Sequence, residues 1–230
     1  MRRSLVVSLA LLAIVRSPAV AQSCLGMASF SSAPVQVAAG GQFSSPANSW
    51  NAGLSYGLPS GLFAGADLST TKFDGVDASS LGVGAHAGYE MSMGKAGQFH
   101  VCPVASLKLG MGPDIDAANL NGSSTDLGFG LAVGTSVGQN PRMRVLPTAG
   151  LGLQYSKIKA EDTSPGGTTA EFSETYPLAR LGIGFIFNQQ ISVRPSVDIP
   201  ISSDLYETSF GVTVAYNFGS RGVSKAPRRH

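Results

Sequence analysis

The chain has 230 residues, a formal net charge of +2, 13% charged residues and 29 glycines. A soluble domain is ordinarily about 25% charged and about 7% glycine, so this composition suits a molecule whose outer surface does not face water. The small net charge gives no argument for nucleic acid or an acidic partner, and outside the leader no apolar run reaches the roughly 18 residues of a membrane-spanning helix.

Residues 1–21 read as a secretory signal peptide. Arg2 and Arg3 form a basic start, Leu5 to Val15 an apolar stretch too short to span a bilayer, and Ala19-Val20-Ala21 a small-residue cleavage site before Gln22. Export through the general secretory route is expected. A twin-arginine signal is formally possible, but only its arginine pair is present. Residues 22–33 are a Ser-rich lead-in without periodicity. Export to an oxidising compartment makes a disulfide the natural fate of Cys24 and Cys102. Lipid attachment at Cys24 is the weaker reading, because Ala21-Gln22-Ser23 is a poor lipobox.

From residue 34 onward apolar and small or polar residues alternate in segment after segment, the period-2 signature of strands. The predicted strands are 34–43, 50–58, 62–71, 80–91, 99–111, 125–138, 143–157, 174–187, 191–201 and 209–218. In 80–91, Leu81, Val83, Ala85, Ala87, Tyr89 and Met91 oppose Ser80, Gly82, Gly84, His86, Gly88 and Glu90. Phe63 falls on the wrong parity beside a turn. Pro103 cannot donate to a ladder, so a bulge or weak pairing is expected there. Short turns at 59–61, 139–142 and 188–190 contrast with longer polar loops at 72–79, 112–124 and 158–173, while 92–98 and 202–207 blur the distinction. The tail 219–230 is basic and unpatterned.

Segments of this length can cross a tilted bilayer, which needs about 9–11 residues. A soluble β-sandwich also alternates, but it would bury its large side chains. Here the large apolar face is almost free of charge, and the charges share the other face with Gly and Ser. Aromatics gather near strand ends (Phe43, Trp50, Tyr89, Phe99, Tyr155, Phe185, Phe187, Tyr216, Phe218), as interfacial girdles do. The fold class is therefore all-β, an antiparallel up-and-down transmembrane β-barrel over residues 34–218. Ten strands are expected, eight if one pair is misread. Short turns and both termini would lie in the periplasm.

The expected lumen charges are Asp67, His86, Glu90, Lys108, Arg144, Arg180, Arg194 and Asp198, with His100 beside them. Opposite charges in such a space must pair or neutralise. The expected outcome is a polar network that closes the barrel; the alternative is a selective pore or ligand site lined by Arg180, Arg194 and Lys108. Cys24 and Cys102 would tie the lead-in across or inside the periplasmic opening, since ten residues can span about 33 Å. No nucleophile-elbow motif, metal-spaced His pair or Ser/His/Asp set stands out, and His86 and Glu90 lie about 13 Å apart along one strand. No catalytic residue, metal or cofactor is expected, and an outer-membrane enzyme is the least favoured reading.

The last strand, Ser209–Phe218, carries a resemblance. A polar residue, Gly211, then Val214, Tyr216 and Phe218 two apart resemble the C-terminal signal strand of bacterial outer-membrane barrels. Tyr216-Asn217-Phe218-Gly219 is similar to the closing strand of the small OmpA/OmpX-type barrels. The resemblance implies a bacterial outer-membrane location and, as partners, the barrel-assembly machinery, outer-membrane lipid and lipopolysaccharide. It implies roles such as adhesion, envelope integrity or minor permeation, with any extracellular ligand unspecified. The chain departs from that family in continuing for twelve residues past Phe218, among them Arg221, Lys225, Arg228 and Arg229.

Overall fold

The computed structural model describes residues 23–28, 30, 33–45, 47–74, 79–93, 99–115, 120–137, 142–165 and 167–219. The signal peptide, its cleavage site, the turns at 94–98 and 138–141, and the basic tail after Gly219 lie outside the described residues.

After a 3-10 turn at Ser23–Leu25 come strands β1 (Val35–Phe43), β2 (Ala47–Gly57), β3 (Leu62–Phe73), β4 (Ser79–Tyr89), β5 (Met91–Met93), β6 (Phe99–Ile115), β7 (Leu120–Thr135), β8 (Met143–Asp162), β9 (Thr169–Phe187), β10 (Ile191–Pro200) and β11 (Ser209–Phe218). Chain neighbours pair antiparallel except β4 and β5, both of which pair with β6; β1 pairs with β11, so the sheet closes on itself. Strands β4 and β5 are one stave. Both pair with β6 in a single register, Gly88 with Val104 and Met91 with Val101, and the ladder lapses between them, where Tyr89 and Glu90 face Pro103 and Cys102. The barrel therefore has ten staves, and the eight-strand alternative is set aside.

The lapse is the weak pairing expected of Pro103, which has no N–H to offer. On the other side of the stave the β3 register carries on past the gap, where the Glu90 N–H donates to the Gly61 carbonyl at 3.0 Å. Pro195 coincides with a second gap, between β9 and β10. The register shift falls elsewhere, between Met111 and Asp114.

The loops expected at 112–124 and 158–173 are a correction. Most of their residues are strand: β6 and β7 run to Ile115 and from Leu120, β8 and β9 to Asp162 and from Thr169. Their side chains do not alternate apolar with polar, so periodicity could not mark them. Cross-strand pairs hold them instead, such as Lys157 Nζ with Glu171 Oε1 at 2.8 Å. These four strands stand as a tall rim at one end, the hairpin end; the termini of the barrel, Val35 and Phe218, pair at the other.

Large apolar side chains cover the outside: Leu68, Phe129, Leu151, Leu153 and Phe210 are all more than half exposed. Gln36, Ser156, Ser192 and Asn217 are buried on the inside. No described helix is long and apolar enough to cross a membrane.

Candidate functional site

The lumen has three levels. At the terminal end the lead-in folds back into the barrel. Cys24 is joined to Cys102 of β6 by a disulfide, and both are fully buried with Phe30 and Phe63. Phe30 and Phe63 meet at 6.1 Å between ring centres. Ala28 packs on Leu146 and Ile186. Three of the segment's backbone polar groups bond to wall side chains. The Ala28 N–H donates to Ser192 Oγ (2.8 Å), its carbonyl accepts from Asn217 Nδ2 (3.3 Å), and the Leu25 carbonyl accepts from Arg194 Nη1 (2.8 Å). Gln36 Nε2 donates to Asn217 Oδ1 at 2.9 Å.

Glycines make the room for this plug. A Cβ on Gly57 would run into the Phe30 ring, and one on Gly184 into the Gly26 carbonyl. Phe63, off-parity for a lipid face, is inward because the plug needs an apolar wall. The lead-in thus sits inside the opening, and its core is partly apolar, beyond the purely polar closure expected from sequence. The residues missed from sequence are Ala28, Phe30, Phe63, Leu146 and Ile186. For Phe63, Leu146 and Ile186 the signal was a bulky apolar residue on the small-residue face near the terminal end; Ala28 and Phe30, in the aperiodic lead-in, carried none.

Beside the plug, His100 Nδ1 lies 2.9 Å from Glu90 Oε1 and 3.3 Å from Ser92 Oγ. The ligand-type atoms of Cys24, Glu90 and Cys102 cluster within 4.8 Å. The disulfide consumes both sulfurs, so no thiolate is offered to a metal there.

At mid-depth His86 Nε2 lies 3.0 Å from Ser55 Oγ, and His86 Nδ1 lies 3.8 Å from Asp67 Oδ1. Linear spacing did not reveal this Ser, His and Asp set, because β2, β3 and β4 bring it together across Gly65. The 3.8 Å separation exceeds a hydrogen bond. The surrounding backbone belongs to ladders on both sides, and an oxyanion hole needs uncommitted N–H donors. Across the lumen Arg180 forms a fork with Asp198, Nε to Oδ1 at 2.7 Å and Nη2 to Oδ2 at 2.6 Å. Asp198 also meets Gln42, which donates to Ser209 at 2.6 Å. Arg144 lies beside Leu146 on β8, on the lumen parity near the terminal end.

Toward the hairpin end the lumen widens into a vestibule of about 540 Å³. Its lining includes Ser69, Lys108, Ser124, Asp126 and Tyr206. The 201–208 loop folds inward here. Tyr206 stacks near Tyr176 at 5.3 Å, and its hydroxyl reaches Asp126 Oδ1 at 3.4 Å. Asp126 accepts from Ser156 Oγ at 2.5 Å. Burial pushes the Tyr206 phenol up to about 12.

The closing strand presents Phe210, Val212, Val214, Tyr216 and Phe218 outward, with Tyr216 and Phe218 edge to face at 4.6 Å.

This geometry agrees with comparison to known proteins. The chain belongs to the outer-membrane β-barrel family: the model for the outer membrane protein beta-barrel domain matches residues 8–218. Among solved structures it is similar to the β domain of the Bordetella autotransporter BrkA, with 11% identity, 81% of this chain and 100% of that chain covered, and a TM-score of 0.51. It is also similar to the N-terminal β-barrel domain of Pseudomonas aeruginosa OprF (14% identity, 81% and 98% covered, TM-score 0.39). A third is Ail of Yersinia pestis, solved with the heparin analogue sucrose octasulfate (14% identity, 81% and 99% covered, TM-score 0.42). At such identities the likeness is one of fold. No curated protein matches the chain in sequence.

Proposed function

We propose that this outer-membrane barrel has a structural or surface-interaction role and that its own N-terminal segment closes the lumen to solutes. The observation that supports this is the plug: residues 24–28, with Phe30, occupy the terminal end, tied by Cys24–Cys102 and by the Arg194 bond to the Leu25 carbonyl. The Arg180–Asp198 and Glu90–His100 pairs and the Ser55–His86–Asp67 cluster engage most inward charges with one another. A lumen so occupied serves rigidity better than conduction, and the long His–Asp separation favours a non-catalytic barrel.

Planar-bilayer recording of the refolded protein tests it. Native protein is expected to give no discrete conductance steps, and reproducible steps without any treatment would establish the pore alternative. One observation favours that second reading: the vestibule, with a further cavity of about 110 Å³ lined by Arg180 and Arg194, keeps open space above the plug.

In this reading both termini are periplasmic and the tall hairpins face outward into lipopolysaccharide. Protease added to whole cells should then cut within 163–168 and leave the terminal end intact. The assembly machinery would read Gly211, Val214, Tyr216 and Phe218, so Phe218→Ala should lower the yield of heat-modifiable barrel in the membrane.

A further inference from the structure

Among the described residues Arg180, Arg194, Lys108 and Lys159 line the lumen cavities, and the structure commits all but one; Lys159 is paired with Glu161 at 3.7 Å. Arg180 is forked onto Asp198, and Arg194 donates to the Leu25 carbonyl of the plug. Lys108 differs. Among the described residues no carboxylate lies within ion-pair distance of its ammonium. Its cross-strand neighbour Asp126 turns to Ser156 and Tyr206, and nearby Asp67 turns to His86.

A second group beside Lys108 also lacks a partner. Ser69 is 5% exposed, and its hydroxyl has no hydrogen-bond partner. Both side chains converge over Gly82, where a Cβ would stand 2.5 Å from Ser69 Oγ and 2.8 Å from Lys108 Cε. The Ser124 hydroxyl covers Gly110 on the adjoining wall, and Lys108, Ser69 and Ser124 all line the vestibule. A volume of about 540 Å³ is that of a small-molecule site, for which about 300–1,000 Å³ is usual. An unpartnered ammonium and a buried, unpartnered hydroxyl over one glycine call for a ligand that brings acceptors and negative charge.

We infer that the vestibule binds a small solute bearing an oxyanion, carboxylate or phosphate, with Lys108 as its charge partner and Ser69 as a second donor. The site lies above the plug and does not depend on whether the barrel conducts.

Isothermal titration of the full refolded chain in detergent, with glucuronate, inorganic phosphate and neutral glucose in separate arms, tests the inference. Saturable binding of glucuronate or phosphate is expected, with glucose at least about tenfold weaker, the scale of one charge-assisted hydrogen bond. The arm that saturates tells carboxylate from phosphate. Lys108→Met should weaken binding about tenfold or more and Ser69→Ala about three- to tenfold. Lys108→Arg, which keeps the charge, should stay within about threefold and guards against a Lys108→Met protein that does not fold. Lys157→Met, on the outer face of the rim, should bind as the native protein does. Absence of saturation by both anions at millimolar concentration, glucose binding as tightly as glucuronate, or unchanged affinity in a folded Lys108→Met would each overturn it.

Discussion

Glu90 and His100 are the most enclosed ionisable pair among the described residues, with each side chain 1% exposed and 2.9 Å between them. Removing one member of such a pair strands the other without water, at a cost of about 3–5 kcal/mol. His100→Ala should therefore lower unfolding stability in urea by that amount, and Glu90→Gln by less, because the amide still accepts a hydrogen bond. Equilibrium unfolding in lipid vesicles, followed by gel mobility, measures both. Tyr206 gives a residue-scale effect that depends on pH. Its phenol sits at about 12, against 10.0 for the free group, so the folded chain holds that proton more tightly than the unfolded chain does. Its contribution is complete below about pH 10 and lost as pH rises through about 12. Ultraviolet titration of native protein minus Tyr206→Phe should leave one phenolate midpoint near pH 12, and a midpoint near 10 would contradict the buried loop. Neither environment was legible in sequence, where Glu90 was one lumen charge among many and Tyr206 lay in an unpatterned loop. Both depend on elements far apart in the chain.

At the scale of elements, alternation located every lipid-crossing stave, because each must repeat the same inside and outside choice. It failed where that alternation disappears: in the rim hairpins, largely polar on both faces, and in the lead-in, which pairs with no strand. The plug was foreseen only as a tether between two cysteines. That it carries Ala28 and Phe30 into an apolar seat needed Phe63, Leu146 and Ile186 to be read together as one wall. Steric crowding separates the seat from the tether. Gly57→Ala would drive a methyl into the Phe30 ring, whereas Gly150→Ala meets nothing nearer than 3.4 Å. The first should give conductance bursts with the disulfide intact, and the second should stay silent in the same bilayer assay. Cys24→Ser with Cys102→Ser should lengthen such bursts, since an untethered segment returns more slowly. If Gly57→Ala is as silent as Gly150→Ala, the segment is not what seals the opening.

For the molecule as a whole, the deciding question is which solvent the outer face meets. The inside could be read as a network from parity alone, and the outside as a lipid face because its large residues carry no charge. A water-facing barrel and a lipid-facing one respond differently to a single cation placed at different depths. Leu151 lies in the middle of the outer band and is 62% exposed, while Tyr89 sits at the terminal rim and is 40% exposed. In a bilayer an arginine at mid-band costs about 2–4 kcal/mol and at the interface about 0–1 kcal/mol. In water either exposed substitution would stay within about 0.5 kcal/mol. Leu151→Arg should therefore destabilise the vesicle-inserted barrel several times more than Tyr89→Arg does, in the same unfolding assay. The two contributions follow from one sequence property, an uncharged outer parity bounded by aromatics, so equal effects at the two depths would mean that the apolar face is not set against lipid.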